Sequence, residues 1–152
     1  MGAHRGSSFL PGFATEAEVV ALCDLDREYL KQAAVRAGIS LRYTTYEEML
    51  DKARLDAVVV CTPMPFHVRH SVAALQRGIH VLSEVPAATD LEQCWQLVEA
   101  VRASRAKYMM AENCCYMKPS VLVRAMAHAG LFGDLYYAEG AYIHEQIGRA
   151  HV

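Results

Sequence analysis

The chain has no apolar run approaching the roughly 20 residues needed to span a bilayer, and its first residues do not pass from charged to apolar as a signal peptide does. The expectation is a cytoplasmic protein that meets no membrane. An excess of one charge is also lacking. Fifteen lysines and arginines against 17 aspartates and glutamates give a formal net charge of -2. No basic run is interleaved with aromatics, so a nucleic-acid partner is not expected. Cysteine pairs at metal-binding spacing are missing too. The five cysteines are odd in number. Cys23 and Cys61 sit in apolar runs, where a reduced thiol behaves as a small hydrophobe, and the adjacent Cys114 and Cys115 have no second pair. Neither disulfides nor a metal site is expected. A small polar ligand is left as the partner.

What the chain does have is alternation. With 152 residues, 53% hydrophobic and 21% charged, it carries enough apolar material for the core of one domain. Short runs rich in Val, Leu or Tyr, at residues 18–23, 42–44, 57–61, 80–83 and 108–111, predict strands. Between them lie stretches of helical period: 27–37, closed by Gly38; 46–53, with Thr45 as N-cap; and 67–77, closed by Gly78. A fourth, 90–104, is capped by Thr89 or Asp90, and its Leu91, Trp95, Leu97, Val98 and Val101 form an apolar face expected to pack on the core. Pro119 opens a further helix over 119–129, which Gly130 closes. Such alternation builds parallel βαβ units. The expected fold class is therefore α/β, a Rossmann-type doubly wound parallel sheet with the run 57–61 at its centre. Residues 133–144 read as one long strand, the first of a second, α+β domain.

Both ends read as cut. A glycine-bearing turn, Met1-Gly2-Ala3-His4-Arg5-Gly6, opens the chain with no strand before it, whereas in the strand order 3-2-1-4-5-6 such a turn follows the first and central strand. The expectation is a truncated sheet: a dinucleotide-binding domain over 1–130 that lacks its first strand, then the start of a substrate domain over 131–146. Residues 147–152 match the translation of a common sequencing adapter and stay outside the fold reasoning. The chain is read as a fragment, inactive alone, of a longer enzyme.

The candidate chemistry sits at strand ends, where ligands bind in open α/β sheets. Gly2, Arg5 and Gly6 belong to a partial glycine-rich turn that would bring backbone N–H groups to a pyrophosphate, although a plain turn has the same appearance. Asp24 ends a strand about 18 residues later, where a carboxylate accepts both hydrogens of an adenosine ribose diol; a strand-end aspartate capping the next helix is the open alternative. Thr62, Pro63, Met64, Pro65, Phe66 and His67 follow the next apolar run, and the two prolines stiffen this loop into a wall for a flat ring or a pyrophosphate. Glu84, Val85 and Pro86 end the strand after that, since Pro86 has no donor for a ladder. Glu112 and Asn113 end the next. The remaining histidines, His4, His70, His80 and His128, are expected on surfaces or in helices.

Three of these stretches carry a resemblance. Val19-Val20-Ala21-Leu22-Cys23-Asp24, Asp56-Ala57-Val58-Val59-Val60-Cys61-Thr62-Pro63 and Gly78-Ile79-His80-Val81-Leu82-Ser83-Glu84 resemble, in order and spacing, the amino-terminal part of the Gfo/Idh/MocA family of sugar-directed oxidoreductases. The resemblance implies NAD or, less favoured, NADP as cofactor, and a sugar or polyol as substrate of a full-length parent that is a candidate homo-oligomer. Asp24 would repel a 2′-phosphate and Arg27 would attract one, so NAD is the lean. Family members usually carry Glu-Lys-Pro where this chain has Glu84-Val85-Pro86, and valine can neither give nor take the proton that the lysine handles.

With Met109-Met110-Ala111-Glu112-Asn113 and Gly140-Ala141-Tyr142-Ile143-His144, this departure resembles a branch of NAD-dependent glycosidases that includes α-N-acetylgalactosaminidases. There, transient oxidation at C3 acidifies the C2 proton and permits elimination, with no net redox change. The resemblance implies Met64 to His67, Glu84, Val85 and Asn113 as cofactor contacts, Tyr142 as a sugar contact and Glu112 as part of the reactive cluster. A phenol titrating near 10 needs a neighbouring cation to act as a base at neutral pH, and His144, on the same strand face as Tyr142, is placed to supply it. A merely polar sheet face for Tyr142 and His144, and a structural carboxylate for Glu112, remain open. Net dehydrogenation is the main expectation, with hydrolysis and a noncatalytic dinucleotide-binding relative as alternatives.

Overall fold

A computed structural model describes residues 2–13 and 15–141, in two units divided between Glu112 and Asn113. The first unit is α/β, and its strands run parallel, as expected. Helices α1 (Ala3–Gly6) and α2 (Leu10–Phe13), with a 3-10 turn between them, precede β1 (Ala21–Cys23). Then follow α3 (Arg27–Ala37), β2 (Leu41–Tyr43), α4 (Tyr46–Lys52), β3 (Ala57–Val60), α5 (His67–Leu75), β4 (His80–Ser83), α6 (Leu91–Ala103) and β5 (Tyr108–Met110). Local chemistry sets these bounds. Asp26 accepts a hydrogen bond from the Tyr29 N–H at 3.0 Å and opens α3, which Gly38 closes in the left-handed region at φ 68°. Asp90 opens α6 in the same way, 2.8 Å from the Gln93 N–H. Thr45 takes the extended N-cap conformation before α4, but its side chain makes no capping bond.

The strands form two sheets, β1–β2 and β3–β4–β5. β3, expected at the centre, is an edge strand, because no described strand lies on its other side. The same lack shortens the run 18–23. β1 is a strand only at Ala21–Cys23, where it pairs with Leu41 to Tyr43, and the residues before it pair with no strand among the described residues.

The core lies against the strands. Met49, Leu75, Val60 and Cys23 are almost fully buried in one cluster that α4, α5 and β3 share with β1. Each such apolar side chain contributes roughly 1.5–3 kcal/mol by leaving water. A second cluster joins Ala3 and Leu22 to Leu30, Ala33 and Ala34 of α3, which recur at helical spacing. The predicted packing face of α6 needs correction. Leu97 is buried, and Ala100 and Val101 pack against the core, but Leu91 and Trp95 are 74% and 58% exposed. Helical period marks a stripe; only the angle at which α6 meets α5 decides how much of it is covered.

In the second unit, a 3-10 turn at Cys114–Tyr116 leads to α7 (Lys118–His128), with Pro119 in its first turn and Gly130 at φ 72° just beyond its end. The long strand expected over 133–144 is not formed at 133–141, which pair with no strand among the described residues and are exposed; 142–144 lie outside the described residues. An apolar alternation without a partner strand has no ladder to satisfy its backbone.

Candidate functional site

Within the first unit, the loops that leave the carboxyl ends of β1, β3 and β4 converge with the opening turn of the chain. The Gly2 N–H donates to Cys23 O at 3.0 Å, and a side chain at Gly2, whose φ is 79°, would begin 2.3 Å from Cys61 O. Only glycine fits there. Gly6 is different: its N–H is spent on Gly2 O at 2.8 Å, and a Cβ would meet nothing nearer than 3.9 Å. Gly6 therefore offers no free amide to a pyrophosphate. Asp24 receives the His4 N–H at 3.3 Å and the Asp26 N–H at 3.0 Å, which fixes its carboxylate at the strand end with lone pairs to spare. Helix capping falls to Asp26 instead.

Arg5 reaches across to Glu84. Its Nε donates to Oε2 at 2.6 Å, while its guanidinium also donates to Ser8 and lies 5.5 Å from the Phe9 ring centroid. The pair holds the Glu84 carboxylate, most of which is covered, and keeps a cation at the same edge. Val85 and Pro86 follow through a cis peptide bond.

His67 ties two loops together. Its buried ring places Nε2 2.7 Å from Thr62 O and Nδ1 2.8 Å from Pro86 O, one carbonyl from each strand-end loop. Behind it, the Thr62 hydroxyl hydrogen-bonds His70 Nδ1 at 3.1 Å, and the Tyr46 hydroxyl donates to His70 O at 2.9 Å. His70, expected on a surface or in a helix, lies in α5 and is buried there. Burial first, and then the positive Arg69 beside it, push its pKa down from 6.5 to about 4. Sequence spacing held the clue, for His67 and His70 lie three apart on one helix face. Pro63, Met64, Pro65 and Phe66 form the exposed outer surface of this loop. Burial pushes the Cys23 and Cys61 thiols up to about 11, in keeping with reduced, inert cysteines.

Glu112 comes one residue after Ala111, whose N–H donates to Ser83 O at 2.7 Å, so it stands at the same strand edge. Asn113 belongs to the second unit, and Tyr142 and His144 lie outside the described residues. No group of His, Cys, Asp and Glu able to hold a metal ion occurs among the described residues. A dinucleotide fits what is present: a turn that only glycine can make, a fixed strand-end carboxylate at Asp24, a cation at Arg5 and an exposed apolar wall at Met64 and Phe66.

Residues 2–112 match the family described as "Oxidoreductase family, NAD-binding Rossmann fold". The chain belongs to the Gfo/Idh/MocA family. It is 37% identical over 93% of its length to a protein of Solibacter usitatus, and 39% identical over 95% to one of Streptomyces niveus, each named a glycosyl hydrolase family 109 protein. The chain spans about a third of those relatives, 35% and 32%. Among solved structures it is similar to the WlbA dehydrogenase of Bordetella pertussis in complex with NADH and UDP-GlcNAcA. That likeness has 28% identity and a TM-score of 0.76, and it covers 88% of this chain and 40% of that one. The Gfo/Idh/MocA chain described here is thus an NAD-binding Rossmann domain.

Proposed function

We propose that this chain is the cofactor-binding part of an NAD-dependent glycoside hydrolase, rather than of an enzyme of net dehydrogenation. The observation that carries the reading is Val85. It occupies the turn beside Glu84, where a lysine would handle the hydroxyl proton, and it can exchange none; the identity to family 109 proteins supports the same branch. When bound, NAD supplies a reversible hydride acceptor at sugar C3, which acidifies the C2 proton, lets the C1 leaving group depart and is undone after water adds.

The chain's residues bind and orient. Asp24 accepts hydrogens from the adenosine ribose and disfavours a 2′-phosphate, so NAD is preferred to NADP. Arg5 holds Glu84 for the cofactor and contributes positive charge for its phosphates, and His67 keeps the loops of Thr62 and Val85 at a fixed separation. Met64 and Phe66 shield one side from water, and Asn113 adds a further cofactor contact. Glu112, with Tyr142 and His144, handles the substrate proton.

The test is product analysis on the full-length protein that contains these residues, supplied with NAD and a panel of aryl glycosides. Free sugar without net NADH is expected. NADH in proportion to substrate would instead establish dehydrogenation, and no turnover across the panel would leave a binding module.

A further inference from the structure

α6 is apolar on two sides. Leu97, Ala100 and Val101 pack on the core, while Leu91, Trp95 and Val98, recurring at i, i+4 and i+7, form a second stripe that is exposed. The outward side of a surface helix ordinarily carries charge. Here the charges stand at the two ends instead. Glu92 is in the first turn and Arg102, which continues the stripe at i+11, is in the last. Glu92 accepts a bond from Gln96 of its own helix at 3.3 Å, and Arg102 makes no ion pair among the described residues. Leu91 to Arg102 spans about 16 Å at the rise of an α-helix. A tryptophan exposed between a leucine and a valine on one line exceeds the scattered apolar exposure that is normal for a surface.

We propose that this stripe is the contact of a two-fold dimer, in which α6 lies antiparallel against α6 of a second copy of the chain. The pattern is complementary to itself. A two-fold axis passing between Gln96 and Leu97 sets Trp95 opposite Val98 of the second copy and Leu91 opposite the aliphatic stem of its Arg102. The same register brings each Glu92 within reach of an opposing Arg102. Parallel pairing would set Glu92 on Glu92 and Arg102 on Arg102, and like charges oppose it. A lipid surface or a partner of one charge would satisfy one end of the stripe and repel the other. A second copy, turned end for end, satisfies both. The contact is small, of the size of weak and reversible assemblies, so the dimer forms only as concentration rises.

The test uses the whole chain without a label, because Trp95 is its single tryptophan and its emission reports on this helix alone. Dilute chain should emit as an exposed indole, and the emission should move to the blue in step with the dimer fraction measured by sedimentation. Glu92→Arg and Arg102→Glu should each weaken the dimer about tenfold in low salt, since symmetry removes two pairs at once. The double variant should regain most of that loss, because the exchanged signs face each other again. A charge of the wrong sign at a helix end weakens the helix, and two weaken it further, so such recovery has no source in the fold of one chain. A chain that stays monomeric at its highest soluble concentration would overturn the proposal. So would a dimer that forms without moving the emission, blue emission already in the dilute monomer, or a double variant no better than the single ones.

Discussion

His70 shows how a single residue couples the site to solution conditions. Above pH 6.5 its ring is neutral whether the chain is folded or not; the unfolded ring takes a proton near 6.5 and the folded one only near 4. Between those values the unfolded chain binds more protons, so His70 draws stability down as pH falls from 6.5 to 4 and contributes nothing further below. The check is urea unfolding across this window for the protein and for His70→Asn, which cannot titrate: the variant should show the shallower loss, and equal slopes would refute the burial argument. The strand-end residues of the site, Asp24, Glu84 and the run from Thr62 to His67, were legible because a strand that stops at a turn announces its own edge. Arg5 with Glu84 and Thr62 with His70 were not. The first pair is 79 residues apart and leaves no local pattern, and the second depends on how α5 is rolled against β3.

At the scale of elements, caps decide where helices begin, and their loss is measurable. Asp90 accepts the Gln93 N–H while the Gln93 side chain returns a bond to Asp90 Oδ2 at 2.6 Å. Asp90→Ala should cost about 1 kcal/mol, read as a lower urea midpoint at unchanged slope. Period and caps made α3 and β4 readable to the residue, and most other bounds to within one or two. What they cannot carry is the identity of a neighbour. The strands predicted over 18–23 and 133–144 are not formed at 18–20 and 133–141, which pair with no strand among the described residues, and Leu91 and Trp95 stayed in water because α6 covers only part of its stripe. A strand is a property of two segments, and a run of residues names only one of them.

At the scale of the whole molecule, the cysteines divide by burial. Cys23 and Cys61 are buried with thiols raised to about 11, whereas Cys94 and Cys115 are exposed. An aromatic disulfide reagent at pH 8 should label Cys94 and Cys115 promptly and reach Cys23 and Cys61 only at the rate of opening of the core. Prompt labelling of all of them would mean that the core around β1 and β3 is not closed.

Among the described residues, every strand in the first unit pairs only with a strand next to it in sequence. On a ribosome, then, β1 and β2 can zip before β3 has been made, and β4 and β5 each add as they emerge. Gly2 runs against that order. The strand end it closes against, that of β3 at Cys61, is not synthesised until the first half-sheet is complete, so Gly2 must wait for its place until β3 has been made.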